Sequence, residues 1–291
     1  PMLLSPVSAQ NFDSIYYRKS IITAFKEAGF QTAFFSNQRY NHSFIDFFGM
    51  EADTYDFIKE DSQDSQYNPS DDELLMLVEK ELEKGNRKQF IVLHTYGSHF
   101  NYRERYPETA AFFLPDFPVD AEVKYKDNLM NAYDNSIRYT DNFLARIIHL
   151  LKQQQVDASM LYTSDHGEDI FDDGRHLFLH ASPVPSYYQL HVPLLLWTSD
   201  SYREEYPGIE KAASMNRQKN ISSSISFFQT MMELAGIETP YRNDSLSVTS
   251  PLYTEKSRVY LNDHNEPHSL DDIGMRKEDF EMLKKRGIDA Q

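Results

Sequence analysis

The chain of 291 residues contains no cysteine. This absence excludes thiolate zinc sites, disulfide bonds and a cysteine nucleophile within these residues. It does not indicate a cellular compartment, because many proteins of oxidising compartments contain no disulfide bond. Any metal site in the chain must therefore use imidazole, carboxylate or other oxygen ligands.

The sequence also lacks a long apolar run and an excess of positive charge. No stretch of about 18 consecutive apolar residues occurs, so the sequence predicts no membrane span. With 29 basic and 45 acidic residues the formal net charge is −16, which argues against nucleic acid or an anionic bilayer as the partner of the general surface. An anionic substrate would need local cations, and a bound metal is their natural source.

The chain begins at Pro1, without an initiator methionine in first place and without a signal peptide. We therefore expect an excised piece of a longer protein, with membrane segments upstream. Because no internal repeat or interdomain linker is recognisable, we expect one domain over residues 1–291. The more polar residues 240–291 would form its C-terminal extension.

Short apolar runs predict strands, and apolar residues at helical spacing predict helices. The predicted order is helix 21–28, strand 30–35, helix 74–82 after a capping box at Ser70–Glu73, strand 90–94, helix 129–151, strand 158–163, strand 192–197, helix 221–234 and strand 259–261. This alternation is typical of an α/β fold with a mostly parallel sheet covered on both faces. Sites in such sheets gather where strands end.

The stretch Ser164–Glu168 places an acid and an imidazole side by side where the strand 158–163 ends. An adjacent carboxylate and imidazole, here Asp165 and His166, suit a divalent cation such as zinc. The following Gly167 would allow the backbone to turn sharply beside the ion. The alternative is that Asp165 caps a helix and His166 is incidental.

Further histidines lie where apolar and polar sequence meet. His180 follows His166 by fourteen residues, and His99 follows the strand 90–94. Both would return to the edge where strands end. His191 stands before another strand, where a metal ligand and a hydrogen-bonded core histidine are equally consistent with the sequence. Three further histidines are interpreted as loop residues: His176, His264 and His268.

A basic and aromatic loop follows His99 over residues 100–107. Such a loop could hold a phosphate or sulfate group, which makes Arg105 a candidate substrate-binding residue. The alternative is a surface loop of ion pairs.

Four sequence blocks occur in a fixed order: Val92–His99 with Arg105–Pro107, Tyr133–Asp141, Thr163–Glu168, and Leu179–Ala181 with His191–Trp197. These blocks resemble the alkaline phosphatase/sulfatase superfamily, and more closely its bacterial phosphoethanolamine transferase branch, which modifies lipid A and related surface glycolipids. The resemblance covers the chain from about Pro1 to Gly236. It implies an alkaline-phosphatase-like three-layer α/β/α sandwich with a mostly parallel sheet.

The resemblance implies roles for individual residues. Asp165 and His166 would be two ligands of the catalytic zinc. His99 and His180 would line the side that handles phosphate, where they would bind substrate or hold a second zinc. Asn37 matches a polar residue near the substrate head group.

The resemblance also implies what the chain lacks. The family's threonine nucleophile and a glutamate ligand precede a motif similar to Pro1–Ser5, so we expect both to lie before Pro1, together with the first strand of the domain. This piece would then be inactive by itself, with an incomplete zinc site. In addition, Phe100–Tyr102 replaces the Gly-Pro sequence usual in the family, and the disulfides common in this branch are missing.

The implied reaction is zinc-dependent transfer of phosphoethanolamine from phosphatidylethanolamine to lipid A or a related glycolipid through a covalent threonine intermediate. The implied partners are the phospholipid donor, the anionic glycolipid acceptor and, through an upstream segment, the periplasmic face of the bacterial inner membrane. Nucleic acid is not among them, and no feature specifies an oligomeric state. Two alternatives stay open: a hydrolase of sulfate or phosphate esters, and a catalytically silent domain that recognises anionic glycans.

Overall fold

The computed structural model describes residues 2–40, 42–59, 68–85, 88–180, 184–262 and 264–288. Pro1 and Ala181, which belong to two of the sequence motifs, lie outside these ranges. Within the described residues, no helix combines the length and the apolarity needed to cross a membrane.

Helices and strands alternate along much of the chain. The helices are α1 (Ile21–Glu27), α2 (Phe44–Gly49), α3 (Asp72–Leu82), α4 (Lys126–Gln153), α5 (Tyr187–Leu190), α6 (Asp200–Glu205), α7 (Pro207–Asn216), α8 (Ser223–Leu234) and α9 (Lys277–Lys285). The strands are β1 (Gln31–Ser36), β2 (Thr54–Phe57), β3 (Gln89–His94), β4 (Ser159–Thr163), β5 (Asp169–Ile170), β6 (Phe178–Leu179), β7 (Leu194–Thr198), β8 (Val259–Leu261) and β9 (Pro267–Ser269). Short 3-10 turns occupy Met2–Leu4, Ala9–Tyr17, Tyr102–Arg105, Glu108–Ala110, Val123–Tyr125 and Asp244–Leu246.

The chain divides into two compact units, each built from separate segments. Unit 1 consists of residues 1–24, 155–169 and 179–291, and unit 2 of residues 25–154 and 170–178. The expectation of a single domain over residues 1–291, with an extension at 240–291, stays a prediction.

Unit 2 contains a three-stranded parallel sheet in the order β2-β1-β3. The central strand β1 is buried from Thr32 to Ser36, which accounts for its nearly continuous apolar sequence. In the ladder Phe35 lies opposite Asp56 of β2 and Leu93 of β3. All three strands therefore end at one edge. The short strand β2 was not predicted, because its sequence alternates with polar residues over only four positions.

The carboxylate of Asp71 ties together the segments that follow β1 and β3. It accepts hydrogen bonds from Asn37 Nδ2 at 2.7 Å and from the backbone N–H groups of Tyr96 at 2.8 Å and Gly97 at 2.9 Å. Asp71 is also the residue before α3, but its side chain makes no capping bond. Of the predicted capping box at Ser70–Glu73, one bond is present: Ser70 Oγ accepts from the backbone N–H of Asp72 at 3.3 Å.

Unit 1 contains an antiparallel strand pair and a cluster near its C-terminal helix. Strand β4 pairs with β7, with Tyr162 opposite Leu195. The predicted strands at 158–163 and 192–197 are thus confirmed, and they run in opposite directions. Near the end of the chain, Tyr187 of α5 packs with Leu283 of α9 in one buried cluster. Residues beyond 240 are therefore part of the packed interior of unit 1.

Helix α4, predicted over residues 129–151, carries a fully buried asparagine that organises a neighbouring irregular segment. Asn135 Oδ1 accepts hydrogen bonds from the backbone N–H groups of Phe112 and Phe113, both at 2.9 Å. Its Nδ2 donates to the carbonyl of Phe113 at 2.9 Å. One side chain thus satisfies three backbone groups of a segment that forms no ladder of its own.

We expect Asn135→Ala to lower the free energy of unfolding by about 2–3 kcal/mol, because it leaves two N–H groups and a carbonyl without their partner. Asn131→Ala is the matched control: Asn131 lies on the same helix and bonds one carbonyl, that of Pro115, so its loss should cost less than about 1 kcal/mol. Urea unfolding of both variants measures the difference. Equal losses would show that the bonds of Asn135 do not stabilise the segment.

Candidate metal and phosphoryl-transfer site

The stretch Ser164–Glu168 forms an irregular loop directly after β4. Ser164 Oγ donates to the carbonyl of His166 at 2.7 Å, and the backbone N–H of His166 donates to Asp165 Oδ1 at 3.1 Å. No helix begins in this loop. The alternative that Asp165 caps a helix is therefore wrong, and the loop presents its side chains at the end of a strand.

Gly167 is required by a close approach of two backbone segments. Its N–H donates to the carbonyl of Gln189 at 2.7 Å. A Cβ atom at this position would lie 2.1 Å from the carbonyl oxygen of Tyr188. The glycine therefore allows backbone contact with α5, rather than the sharp turn that the sequence suggests.

The ring of His166 is oriented by the backbone. Its Nδ1 lies 3.0 Å from the carbonyl of Gly167. Because a carbonyl can only accept, Nδ1 carries the proton and the lone pair lies on Nε2. Nε2 is 3.7 Å from Oδ2 of Asp165, whose side chain is 76% exposed. Two ligands of a tetrahedral zinc lie about 3.3 Å apart, so small rotations would let both groups bind one ion.

Glu168 and His180 form a second carboxylate–imidazole pair. The side chain of Glu168 is buried, and its Oε1 accepts a hydrogen bond from His180 Nδ1 at 3.0 Å. This bond places the lone pair of His180 on Nε2 as well. The rings of His166 and His180 lie with their centroids 3.7 Å apart. A carboxylate that orients an imidazole in this way is typical of the surroundings of zinc.

Three of these residues can converge on one ion: one ligand atom from each of His166, Glu168 and His180 lies within 4.8 Å of the others. Two nitrogen donors and a carboxylate oxygen form a set that suits zinc. Of the predicted zinc pair, His166 belongs to this cluster and Asp165 stands beside it. The sequence analysis assigns no role to Glu168, although this residue belongs to the Ser164–Glu168 stretch. Its position two residues after His166 is the signal that could have identified it.

The other predicted site residues lie in unit 2. His99 is exposed, with Nδ1 2.6 Å from the carbonyl of Phe100. The side chain of Arg105 is only 7% exposed and pairs with Glu104 at 3.0 Å. Asn37 is buried and holds Asp71, as described above. Roles of Asn37 and Arg105 in substrate binding stay predictions.

His191 is hydrogen-bonded, as one of the two interpretations expects, but it is exposed rather than part of the core. Its Nδ1 lies 2.7 Å from the hydroxyl of Tyr187. Partial burial, followed by the positive charges of Arg286 and Arg258, lowers the pKa of His191 below its ordinary value. The imidazole is therefore neutral near pH 7.

The comparisons with known proteins identify the family of this chain. A family model described as Sulfatase matches residues 1–237. Phosphoethanolamine transferase EptA of Escherichia coli strain K12 is 36% identical over 157 residues, which are 52% of this chain and 28% of that protein. The chain thus spans less than a third of that curated relative.

Solved structures confirm the fold class. The periplasmic domain of EcEptC from Escherichia coli, solved in complex with zinc, gives a TM-score of 0.83 at 23% identity, covering 94% of this chain and 77% of that chain. The integral membrane protein lipooligosaccharide phosphoethanolamine transferase A (EptA) from Neisseria meningitidis gives 0.74 at 22% identity, covering 85% of this chain and 47% of that chain. The expected alkaline-phosphatase-like α/β fold and the resemblance to this branch are both confirmed.

We expect Gly167→Ala to lower the free energy of unfolding by about 2–4 kcal/mol, because the new methyl group would overlap the carbonyl of Tyr188. Gly174→Ala is the control, since a Cβ there meets no atom within 4 Å. Urea unfolding of both variants measures the effect. If the two variants were equally stable, the close approach would not be a constraint in solution.

We expect the 291-residue chain to bind zinc, and His166→Gln to weaken the affinity at least about ten-fold by removing a nitrogen donor. His149→Gln is the control, because His149 is an exposed residue of α4 bonded only locally, to Gln153. Isothermal titration of metal-free protein with zinc gives the affinities. Unchanged affinity in His166→Gln would remove this imidazole from the ligand set.

Proposed function

We propose, because this chain belongs to the sulfatase family, that it is the phosphoryl-transfer domain of a metal-dependent phosphoethanolamine transferase acting on a bacterial surface glycolipid. The observation that carries the proposal is the convergence of His166, Glu168 and His180 beside Asp165 at the end of β4. The similarity to named phosphoethanolamine transferases supports the group transferred.

Zinc fits the donor set at this loop. His166 and Asp165 would hold it, with Glu168 either as a further ligand or as the group that orients His180. When bound, zinc supplies positive charge that polarises a phosphoryl oxygen and lowers the pKa of a nucleophile. A neighbour of the same fold was solved in complex with zinc, which supports this choice of metal.

His180 is suited to act on the phosphoryl group. The buried carboxylate of Glu168 fixes its Nδ1 proton, so the lone pair lies on Nε2. In this orientation Nε2 accepts a proton from an attacking hydroxyl, and the resulting imidazolium is stabilised by the carboxylate. Once protonated, His180 returns that proton to a leaving oxygen. We propose a comparable role in proton transfer for His99, which lies in unit 2.

The donor and acceptor follow from the resemblance. We place phosphatidylethanolamine as the donor, lipid A or a related glycolipid as the acceptor, and a threonine as the covalent carrier between them. The transfer would take place at the periplasmic face of the inner membrane. One neighbour is named as a periplasmic domain and another as an integral membrane lipooligosaccharide phosphoethanolamine transferase, which supports this location and this acceptor class.

The test is transfer by the full-length gene product in a bacterium without its own phosphoethanolamine transferases. Mass spectrometry of extracted glycolipid should show addition of phosphoethanolamine. His180→Gln should reduce transfer by about 10²-fold or more, because it removes a general acid and base, and His149→Gln should transfer at the wild-type rate.

Other outcomes contradict the proposal in distinguishable ways. Release of free phosphate or sulfate from an ester, without labelled glycolipid, would establish the hydrolase alternative. Absence of any product, together with absence of zinc binding by the chain, would establish the silent glycan-recognition alternative. Full transfer by His180→Gln would remove the proposed role of His180.

A further inference from the structure

Residues 111–119 of unit 2, called here the apolar loop, display large apolar side chains to solvent. Phe112 and Leu114 are each 66% exposed, Phe117 is 59% exposed and Val119 is 81% exposed. Single exposed apolar residues are ordinary, whereas four within eight positions are not. The loop therefore has the composition of an interaction surface.

The backbone of the apolar loop is hydrogen-bonded by asparagines of α4. Asn135 bonds the backbone of residues 112 and 113, as described above. Asn131 Nδ2 donates to the carbonyl of Pro115 at 2.9 Å, and Asn128 Nδ2 donates to the carbonyl of Phe117 at 3.2 Å. Positions 128, 131 and 135 share one helix face. The polar backbone thus faces the helix while the apolar side chains face outward.

The one carboxylate within the apolar loop also faces inward. Asp116 is fully buried and accepts a hydrogen bond from the hydroxyl of Tyr106 at 2.7 Å. It also pairs with the guanidinium of Arg103, whose Nε lies 3.3 Å away. Residues 111–119 therefore expose no carboxylate on their outer face.

Cationic groups lie against the exposed rings. The guanidinium carbon of Arg138 is 4.4 Å from the centre of the Phe112 ring, and that of Arg103 is 4.3 Å from the centre of the Phe117 ring. Arg103 is already paired with Asp116, so the exposed Arg138 supplies the cation at the base of the apolar tips. Apolar tips above a cation match the layers of a bilayer surface, where acyl chains lie beneath anionic phosphates.

We propose that the apolar loop docks this chain on a phospholipid membrane, with Phe112, Leu114, Phe117 and Val119 entering the interface. A bilayer suits this loop because most groups that enter it are either apolar or bonded within the protein. The proposal rests on the proposed function in one respect, since a lipid substrate places the chain beside a membrane. The similarity in fold to an integral membrane protein is compatible with that placement.

The net charge of −16 gives the docking a distinctive salt dependence. The general surface is repelled by an anionic bilayer, so apolar insertion must supply the attraction. Added salt screens the repulsion. Binding should therefore persist or strengthen as salt rises, whereas a purely electrostatic contact would be lost.

The first experiment is flotation of the 291-residue chain with vesicles of phosphatidylethanolamine and phosphatidylglycerol. The double variant Phe112→Ser/Phe117→Ser should bind at least about ten-fold more weakly, because it removes two aromatic rings from the interface. The control Phe47→Ser/Leu252→Ser removes side chains that are 57% and 64% exposed elsewhere, and it should bind as the unsubstituted chain does. Circular dichroism confirms that each variant is folded.

A second measurement does not depend on whether the double serine variant folds. Phe117→Trp should gain fluorescence intensity at shorter wavelength when vesicles are added, and brominated lipids should quench it, with the unsubstituted chain and its single tryptophan as reference. Absence of both changes, or equal binding by the two double variants, would overturn the proposal. A concentration-dependent dimer that only Phe112→Ser/Phe117→Ser abolishes, without vesicle binding, would assign the loop to contact between copies instead. Neither measurement needs zinc or transfer, so failure here is separable from failure of the proposed function.

Discussion

The positions of His166 and Glu168 depend on the contact between the backbone of Gly167 and the segment 188–189. The N–H of Gly167 reaches Gln189 at 2.7 Å, and no side chain fits between them. With the middle residue of the loop held in this way, its two neighbours are directed by the backbone rather than by flexible contacts. Pre-positioned donors of this kind lose little conformational entropy when a ligand binds.

Further hydrogen bonds connect the segment around Gly167 and Gln189 to other parts of unit 1. The buried carboxylate of Asp169 accepts from Ser186 Oγ at 2.7 Å, and Ser186 caps α5. The N–H of Tyr187 in turn donates to Asp279 of α9 at 2.9 Å. The loop 164–168 is thus connected to a helix more than one hundred residues away in sequence. Substitutions near Asp279 can therefore alter the loop without touching the site.

Much of the fold follows from local pattern, and the remainder depends on distant partners. The apolar runs at β1, β3, β4 and β7 predict strands; β1 is buried nearly throughout, and most residues of the other three strands are half-buried. The direction in which β4 and β7 pair could not be predicted, because it is set by the path of the chain between them. Asp71 lies inside the predicted capping box of α3, yet its carboxylate is engaged by donors far along the chain.

In the candidate site, too, some features follow from the local sequence and others depend on contacts with distant residues. Asp165, His166 and His180 could be selected from residue type and motif order. The burial of Glu168 and the bond that fixes the proton of His180 could not, since both depend on how residues 168 and 180 meet. Asn37 and Arg105 have side chains suited to a ligand, and within unit 2 they bind Asp71 and Glu104; their roles in substrate binding stay predictions. Residue chemistry therefore identifies candidates, and tertiary contacts add the orientation and the partners of each.

The interleaving of the two units sets an order of assembly during synthesis. All segments of unit 2 have been synthesised once residue 178 is made, whereas unit 1 still awaits residues 179–291. Asp279 of α9, the partner of Tyr187, is made 92 residues after it. The imidazoles of His166 and His180 are consequently synthesised well before α9, so the hydrogen bonds that support α5 and the loop 164–168 are complete only once α9 has been made.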